Sequence, residues 1–328
     1  MSWLEASGVG LYSFGGKGNP IRTKRSDDGG GTWRRPVRVS APARGRVLAP
    51  SSAVGPDGEV YVLYLDLGED KLDYEGGHQG RGGPHYGGRW KLVLGRSKDG
   101  GRTWEESVVE DRLVPTERFV AFIPPFPSVA VDPHSGRVYA GFQDGLLGDP
   151  DVKVWSRGAD DWAGPTRVND TPAHDKTAQY LPKLANAPGG RLDVVYYDRR
   201  SDSRNIMNEV SLQSSFDGGE SFTKSVRLTD HSFSSRIGFG SERGMPDLGN
   251  RLGLVSTGSR AYAVWADTRA GTKASNKQDI ARAVADFSEP ARLSKPVEYL
   301  LRYGGLLLML VGLLALARGL LRRAGKLA

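Results

Sequence analysis

Cysteine is absent from the 328 residues. That excludes disulfides, thiolate zinc sites and cysteine nucleophiles together, and it leaves the redox compartment open. A basic stripe with interleaved aromatics is missing as well. The formal net charge is +7, but Lys295, Arg302, Arg318, Arg322, Arg323 and Lys326 face Glu298 alone at the C-terminal end, so the remaining body is nearly neutral. No nucleic-acid partner is expected on these grounds. The stretch from Met1 to Phe14 has neither a basic n-region nor a long apolar h-region, so no signal peptide is read there. Trp, Tyr, Phe, Val and Leu recur along the chain, which rules out a collagen-like or disordered polypeptide.

One long apolar run is present, and it lies at the C-terminal end. Tyr303 to Ala317 is uncharged, and a snorkelling Arg318 extends the run through Leu321. The length is then about 19 residues, or roughly 28 Å of helix, enough to reach across a bilayer core. The run is apolar all round and a cationic cluster follows it, which argues against a buried core helix. That cluster predicts a cytoplasmic tail and an outward-facing body. The division expected is a body over 1–294 and a transmembrane helix with a basic cytoplasmic tail over 295–328.

Internal repetition dominates the body. A pattern Ser-x-Asp-x-Gly-x-Thr/Ser-aromatic occurs three times. The copies are Ser26, Asp28, Gly30, Thr32, Trp33; then Ser97, Asp99, Gly101, Thr103, Trp104; then Ser215, Asp217, Gly219, Ser221, Phe222. Asp and Ser bond turn amides, Gly supplies a positive φ, and the aromatic plugs the space under the turn. Upstream lie β-type segments that end in an acid, at Asp66, Asp144, Asp198 and Asp267. Pro-x-x-Ala precedes three of them, at Pro50, Pro127 and Pro182, and tight Gly-containing turns join the two motifs.

Each unit therefore reads as strand A (Pro-x-x-Ala), strand B (ending in Asp), strand C, the Asp turn and strand D. Four antiparallel strands per unit describe a propeller blade. Blades are expected at about 46–112, 119–170, 178–230 and 246–293, with a partial blade over about 8–40. Half an opening blade predicts a ring that is incomplete, or closed by pairing the N-terminal segment beside the last blade. It also favours a native start upstream of Met1.

The three Asp turns resemble the Asp-box (BNR) repeats of the sialidase superfamily, and the body over about 8–293 is similar to its exported bacterial members. The resemblance implies an all-β, sialidase-like β-propeller of about six blades in the full-length form, here with an incomplete first blade, followed by one transmembrane helix. It implies the fold more strongly than the activity, because Asp-boxes also occur on non-enzymatic propellers. The family's Arg-Ile-Pro signature is absent; Ile21-Arg22 lies just before an Asp turn and not on a first inner strand.

In an up-and-down blade the A–B and C–D turns share one face, and here they are short. The longer B–C and D–A loops share the other, which places a site at the mouth on that side. Sialidase chemistry needs arginines for a substrate carboxylate, since the planar guanidinium bonds it bidentately. It also needs a Tyr activated by a Glu. The loop candidates are Arg118, Arg200 and Arg243 for substrate binding, from three different blades, with Tyr180 and Glu242 as a nucleophile pair in D–A loops. The strand-end aspartates read as structural, bonding loop amides or the arginine that follows. The loop from Gly76 to Trp90 holds two histidines, without the spacing of a ligand set, so it is read as a lid or ligand-contact loop and no metal or cofactor is expected.

Two functions follow. One is a membrane-anchored, outward-facing propeller that binds glycan or another cell-surface ligand at the long-loop face. The other is an exo-glycosidase of sialidase type, hydrolysing terminal acidic sugars.

Overall fold

The computed structural model describes residues 1–5, 18–70, 86–116, 126–158, 161–238, 248–249 and 252–287, and then Tyr303, Gly304, Met309, Gly312, Leu313 and Arg318. Met1–Asp286 is one compact unit and Phe287–Ala328 a second.

The first unit is all-β among the described residues, in five antiparallel sheets. The first sheet holds β1 (Ser2–Leu4), β2 (Ile21–Thr23) and β3 (Val37–Arg38). The second is a four-stranded meander of β4 (Val47–Val54), β5 (Val60–Asp66), β6 (Trp90–Ser97) and β7 (Glu105–Leu113). The third repeats it with β8 (Ser128–Val131), β9 (Val138–Asp144), β10 (Asp151–Arg157) and β11 (Trp162–Arg167). The fourth has β12 (Gln179–Asn186), β13 (Leu192–Asp198), β14 (Met207–Ser215) and β15 (Val226–Arg227), with β16 (Phe233–Ser234) also paired to β14. The fifth contains β17 (Gly253–Ser256), β18 (Arg260–Asp267) and β19 (Asp279–Asp286). The order expected from the repeats thus holds, and the architecture is propeller-like. The opening sheet adds β1 in the strand B place, outside the partial blade read from the sequence. The last sheet shows strands A, B and C.

The sheets stack face to face in chain order, and sequence explains why. The second strands of the middle sheets are near-continuous apolar runs, because both of their faces are covered. Ile21 and Val39 of the first sheet pack on Val62, Tyr64 and Val93 of the second. Tyr61, Leu63 and Leu65 then meet Val129, Ala140 and Phe142 of the third. On its far side, Tyr139, Val152 and Val154 meet Leu184, Val194 and Tyr196 of the fourth. The fourth joins the fifth through polar groups: buried Asp193 accepts from Ser256 Oγ at 2.7 Å, and Arg191 donates to the carbonyls of Thr257 and Gly258.

The innermost strands are linked by serines of the Pro-x-x-Ala motif. Val129 N donates to Ser51 Oγ at 3.4 Å, and Leu184 N to Ser128 Oγ at 3.0 Å. In β4 and β12 the residue before the motif proline takes a left-handed conformation, Ala49 at φ 59° and Leu181 at φ 58°, and the strand register shifts there. Such a bulge re-aims the strand at a local cost of about 1–2 kcal/mol. Ser51, Pro127, Ser128, Pro182, Lys183 and Leu252 line one small cavity of about 20 Å³, so the motif copies converge.

The Asp turns join β2 to β3, β6 to β7 and β14 to β15, the last two strands of the meander in each case, and share one bonding pattern. Gly30 N donates to Ser26 Oγ, Gly101 N to Ser97 Oγ and Gly219 N to Ser215 Oγ, at 2.7, 2.7 and 2.8 Å. Each Asp Oδ1 takes the amide of Thr32, Thr103 or Ser221, and each Oδ2 takes that residue's hydroxyl. The plugs are not equal: Trp104 and Phe222 pack against core clusters, while Trp33 is 43% exposed.

In the second unit, the described residues Tyr303, Gly304, Met309, Gly312, Leu313 and Arg318 are helical, and Tyr303, Met309 and Leu313 are exposed. Among the described residues no helix is long and apolar enough to cross a membrane.

Candidate functional site at the strand-end face

Asp66, Asp144, Asp198 and Asp267 close the second strand of four sheets, all buried and all at the end opposite the Asp turns. Each divides its two oxygens in the same way. One oxygen caps a loop amide: Gly68 N at 3.1 Å, Val114 N at 2.9 Å, Arg200 N at 3.0 Å and Arg269 N at 2.8 Å. The other meets a cation: Arg44 at 2.6 Å, Lys153 at 2.5 Å, Arg200 at 2.5 Å and Arg269 at 2.8 Å. Backbone donors and a paired cation are what a buried carboxylate requires. The cation has three origins: the loop before β4 for Asp66, β10 for Asp144, and the loop that follows the acid for both Asp198 and Asp267.

Between the third and fourth sheets the pairs merge into a network. Arg200 gives Nε to Asp198, Nη1 to Asp170 at 2.7 Å and Nη2 to Tyr196 Oη at 3.2 Å. All three guanidinium nitrogens are engaged, which uses three of the five N–H donors and fixes the plane of the side chain. Asn169 Nδ2 lies within hydrogen-bond distance of Asp151 Oδ1, Thr171 Oγ1 and Gln179 Oε1 at 2.7, 2.8 and 2.9 Å. Asp151 is buried at the start of β10. Burial pushes its carboxyl above the ordinary range, against Asn169 and Arg167. An upward shift is the direction a general acid needs.

Tyr180 is the second residue of β12 and not part of a loop. It is fully buried, donates its hydroxyl to Asn208 Oδ1 at 2.6 Å and receives Arg199 Nη2 at 3.3 Å, with the guanidinium 5.0 Å from its ring centroid. Burial raises the phenol, and Arg199 only partly opposes this. That is the reverse of an activated nucleophile, whose acidity must be lowered or whose proton an adjacent base must take. Its described partners are an amide and an arginine. Glu242, Arg118 and Arg243 lie outside the described residues, as do His78 and His85. Among the described residues no group of three or more His, Asp or Glu is arranged to hold a metal ion.

Asp151, Asn169, Asp170 and Gln179 were not singled out from the sequence. A signal for part of this set exists in the fourth strands: aromatic-x-x-Pro-x-Arg-Val-Ser/Asn occurs at Trp33 to Ser40 and again at Trp162 to Asn169. Its last residue completes the ladder, as Ser40 Oγ accepts Ile21 N and Asn169 Oδ1 accepts Val152 N. Its arginine ties down the loop beyond: Arg38 Nε donates to Ser40 O and Arg167 Nε to Asn169 O.

No protein-family model matches the chain, and no curated protein matches it by sequence. Solved structures are similar at low identity. An alpha-L-arabinanase from Penicillium chrysogenum, solved with arabinobiose, is 16% identical with a TM-score of 0.47, over 82% of this chain and 85% of that one. The intramolecular trans-sialidase from Ruminococcus gnavus is 11% identical with a TM-score of 0.46, over 88% and 85%. The Hadza microbial sialidase Hz136 is 14% identical with a TM-score of 0.42 over 72% of this chain, which spans 44% of that sialidase.

Proposed function

We propose that the protein is a sialidase-like propeller, held at the outer face of a membrane by its C-terminal segment, that binds a carbohydrate or another cell-surface ligand at the strand-end face. On this reading the Asp turns are Asp-box repeats, and the ligand lies across the ends of β5, β9, β13 and β18. The observation that carries binding over turnover is the state of the described candidates. Tyr180 is buried against Asn208 and Arg199, and Arg200 is held by Asp198, Asp170 and Tyr196. Carboxylate recognition then falls to Arg118 and Arg243. The anchor rests on the apolar run from Tyr303 to Leu321 and the cationic residues after it.

A second reading, an exo-glycosidase of sialidase type, is favoured by Asp151, a buried acid whose carboxyl is held high. One experiment separates the two. The detergent-solubilised full chain is assayed on a fluorogenic sialoside and in parallel on a printed array of acidic and neutral oligosaccharides. Array binding without turnover, lost in Arg243→Ala, supports the binding module. Turnover abolished by both Arg243→Ala and Asp151→Asn supports the hydrolase. Neither binding nor turnover removes the carbohydrate reading.

A further inference from the structure

A cavity of about 480 Å³ opens between the first two sheets, at the Asp-turn end and so opposite the strand-end face. Small-molecule sites span about 300–1,000 Å³. Ser52, Val62, Gly101 and Trp104 form its wall on the second sheet, with Arg25 and Trp33 from the first.

The matching places between later sheets are filled by tyrosine. Four residues before each strand-end aspartate stand Val62, Ala140 and Val194, and the first strand sets Ser52, Val129 and Leu184 opposite them. The turn aromatics of the same three sheets are Trp104, Trp162 and Phe222. Between the second and third sheets, Tyr61 packs in the cluster that holds Val129, Ala140 and Trp162. Between the third and fourth, Tyr139 packs with Leu184, Val194 and Phe222, and its Cε1 lies 3.3 Å from where Gly219 would carry a Cβ. Gly101 is the same position of the second Asp turn, and a Cβ there would meet only Trp104, at 3.7 Å.

Tyr61 and Tyr139 both come from the second strand of the preceding sheet, and Tyr61 stands opposite Arg96, the residue before the turn serine. In the first sheet β1 takes that strand's place and pairs Ser2 with Thr23. Arg25 is there the residue before the turn serine, and no described residue stands opposite it. Ser52 is exposed as a result, whereas Val129 and Leu184 are buried. The seat also holds a donor without an acceptor. Trp33 Nε1 donates to Gly30 O at 3.1 Å and Trp162 Nε1 to Ser107 Oγ at 3.4 Å. Trp104 Nε1 is buried and has no hydrogen-bond partner among the described residues. A buried donor left unpaired is costly, and an oxygen on an occupant relieves it.

We propose that this cavity is a binding site for a phenol ring, which takes the seat that Tyr61 and Tyr139 fill between the later sheets and accepts the Trp104 indole N–H on its oxygen. The ring lies against Val62 and Trp104 and removes their apolar surface from water. Exposed Ser52 leaves room for a substituent at the mouth. The site shares no residue with the strand-end face.

The probe is 4-methylphenol, titrated into the full chain in mild detergent and followed by calorimetry. Saturable binding with a dissociation constant of about 1 mM or tighter is expected. Ser52→Phe puts a ring into the seat from an exposed position and should abolish binding, while Val226→Phe, on exposed β15, should not. Trp104→Phe keeps the plug and removes the donor, so it should weaken 4-methylphenol by about fivefold or more and leave toluene unchanged. The peptide acetyl-Val-Tyr-amide separates the two sources of such a ring. Binding tighter than that of 4-methylphenol means a tyrosine carried on a strand; equal or weaker binding means a free phenol. Melts by circular dichroism check the fold of each variant, and Trp104→Phe carries the test if Ser52→Phe does not fold. No saturable binding of 4-methylphenol overturns the proposal. So does binding that survives in folded Ser52→Phe, or an equal loss of 4-methylphenol and toluene in Trp104→Phe.

Discussion

The Lys153–Asp144 pair shows how little freedom a buried charge has. Its nitrogen and oxygen are 2.5 Å apart, with side chains 9% and 7% exposed. Removing one member leaves the other charge buried, which costs about 3–5 kcal/mol. Lys153→Met should therefore lower unfolding stability by that amount in urea titration, and the double variant with Asp144→Leu should recover much of it. Tyr180 supplies a second expectation. Tyr180→Phe removes a hydroxyl whose described partners are Asn208 and Arg199, so stability should drop by about 1–3 kcal/mol while ligand binding stays within twofold. Loss of a measured activity with unchanged stability would restore it as a catalytic residue. The sequence could not show this. Arg200 finds Asp170 thirty positions away on the preceding unit's loop, and Tyr180 is enclosed by Asn208, Arg199 and Tyr197, which only the folded sheet brings near.

At the scale of the element, the Asp turns were legible because the bonds that their Ser and Asp side chains make to turn amides are local, within four residues. Their carboxylates are held below the ordinary value of 3.8, first by the hydroxyl of Thr32, Thr103 or Ser221; Asp217 falls to about 2. A depressed folded-state value stabilises above the unfolded one and is lost as pH falls through the folded one. The melting temperature should thus decline between about pH 4 and pH 2. The triple variant Asp28→Asn, Asp99→Asn, Asp217→Asn should melt lower at pH 7 and show a shallower decline by calorimetry. The turn glycines separate strain from packing. A Cβ at Gly30, φ +101°, would meet only Trp33, at 4.0 Å, whereas a Cβ at Gly219, φ +90°, would lie 3.3 Å from Tyr139. Gly219→Ala should cost more than Gly30→Ala, each by about 1–3 kcal/mol. The fourth-strand pattern was there to be read too, and its letters return as Phe287, Pro290, Arg292, Leu293 and Ser294, mostly outside the described residues. Its arginine and its terminal polar residue act on backbone, which no spacing rule advertises.

For the molecule as a unit, the order of the sheets in the body was visible in the repeats, while the exposed side of the fifth was not. AYAVWAD reads much like VYVLYLD, and only the presence or absence of a neighbour distinguishes a covered face from an open one. Burial on both sides should make β5, β9 and β13 the slowest strands in amide exchange, with β18 and β19 faster by two orders of magnitude or more. Uniform protection across all five sheets would mean that something covers the fifth.

The serine links between inner strands have a consequence for how the chain comes together. Ser51 holds the amide of Val129, and Ser128 that of Leu184, so each sheet presents the docking site for the one made after it. Every sheet-to-sheet contact named above joins neighbours in the chain. A polypeptide emerging from a ribosome or a translocation pore meets its next surface already in place, and growth proceeds by accretion from the N-terminal side. A lesion in an early sheet, such as Ser51→Val, should therefore stall everything downstream. The same lesion at Ser128 should leave a protease-resistant fragment ending before β12, visible in pulse-chase proteolysis of nascent chains.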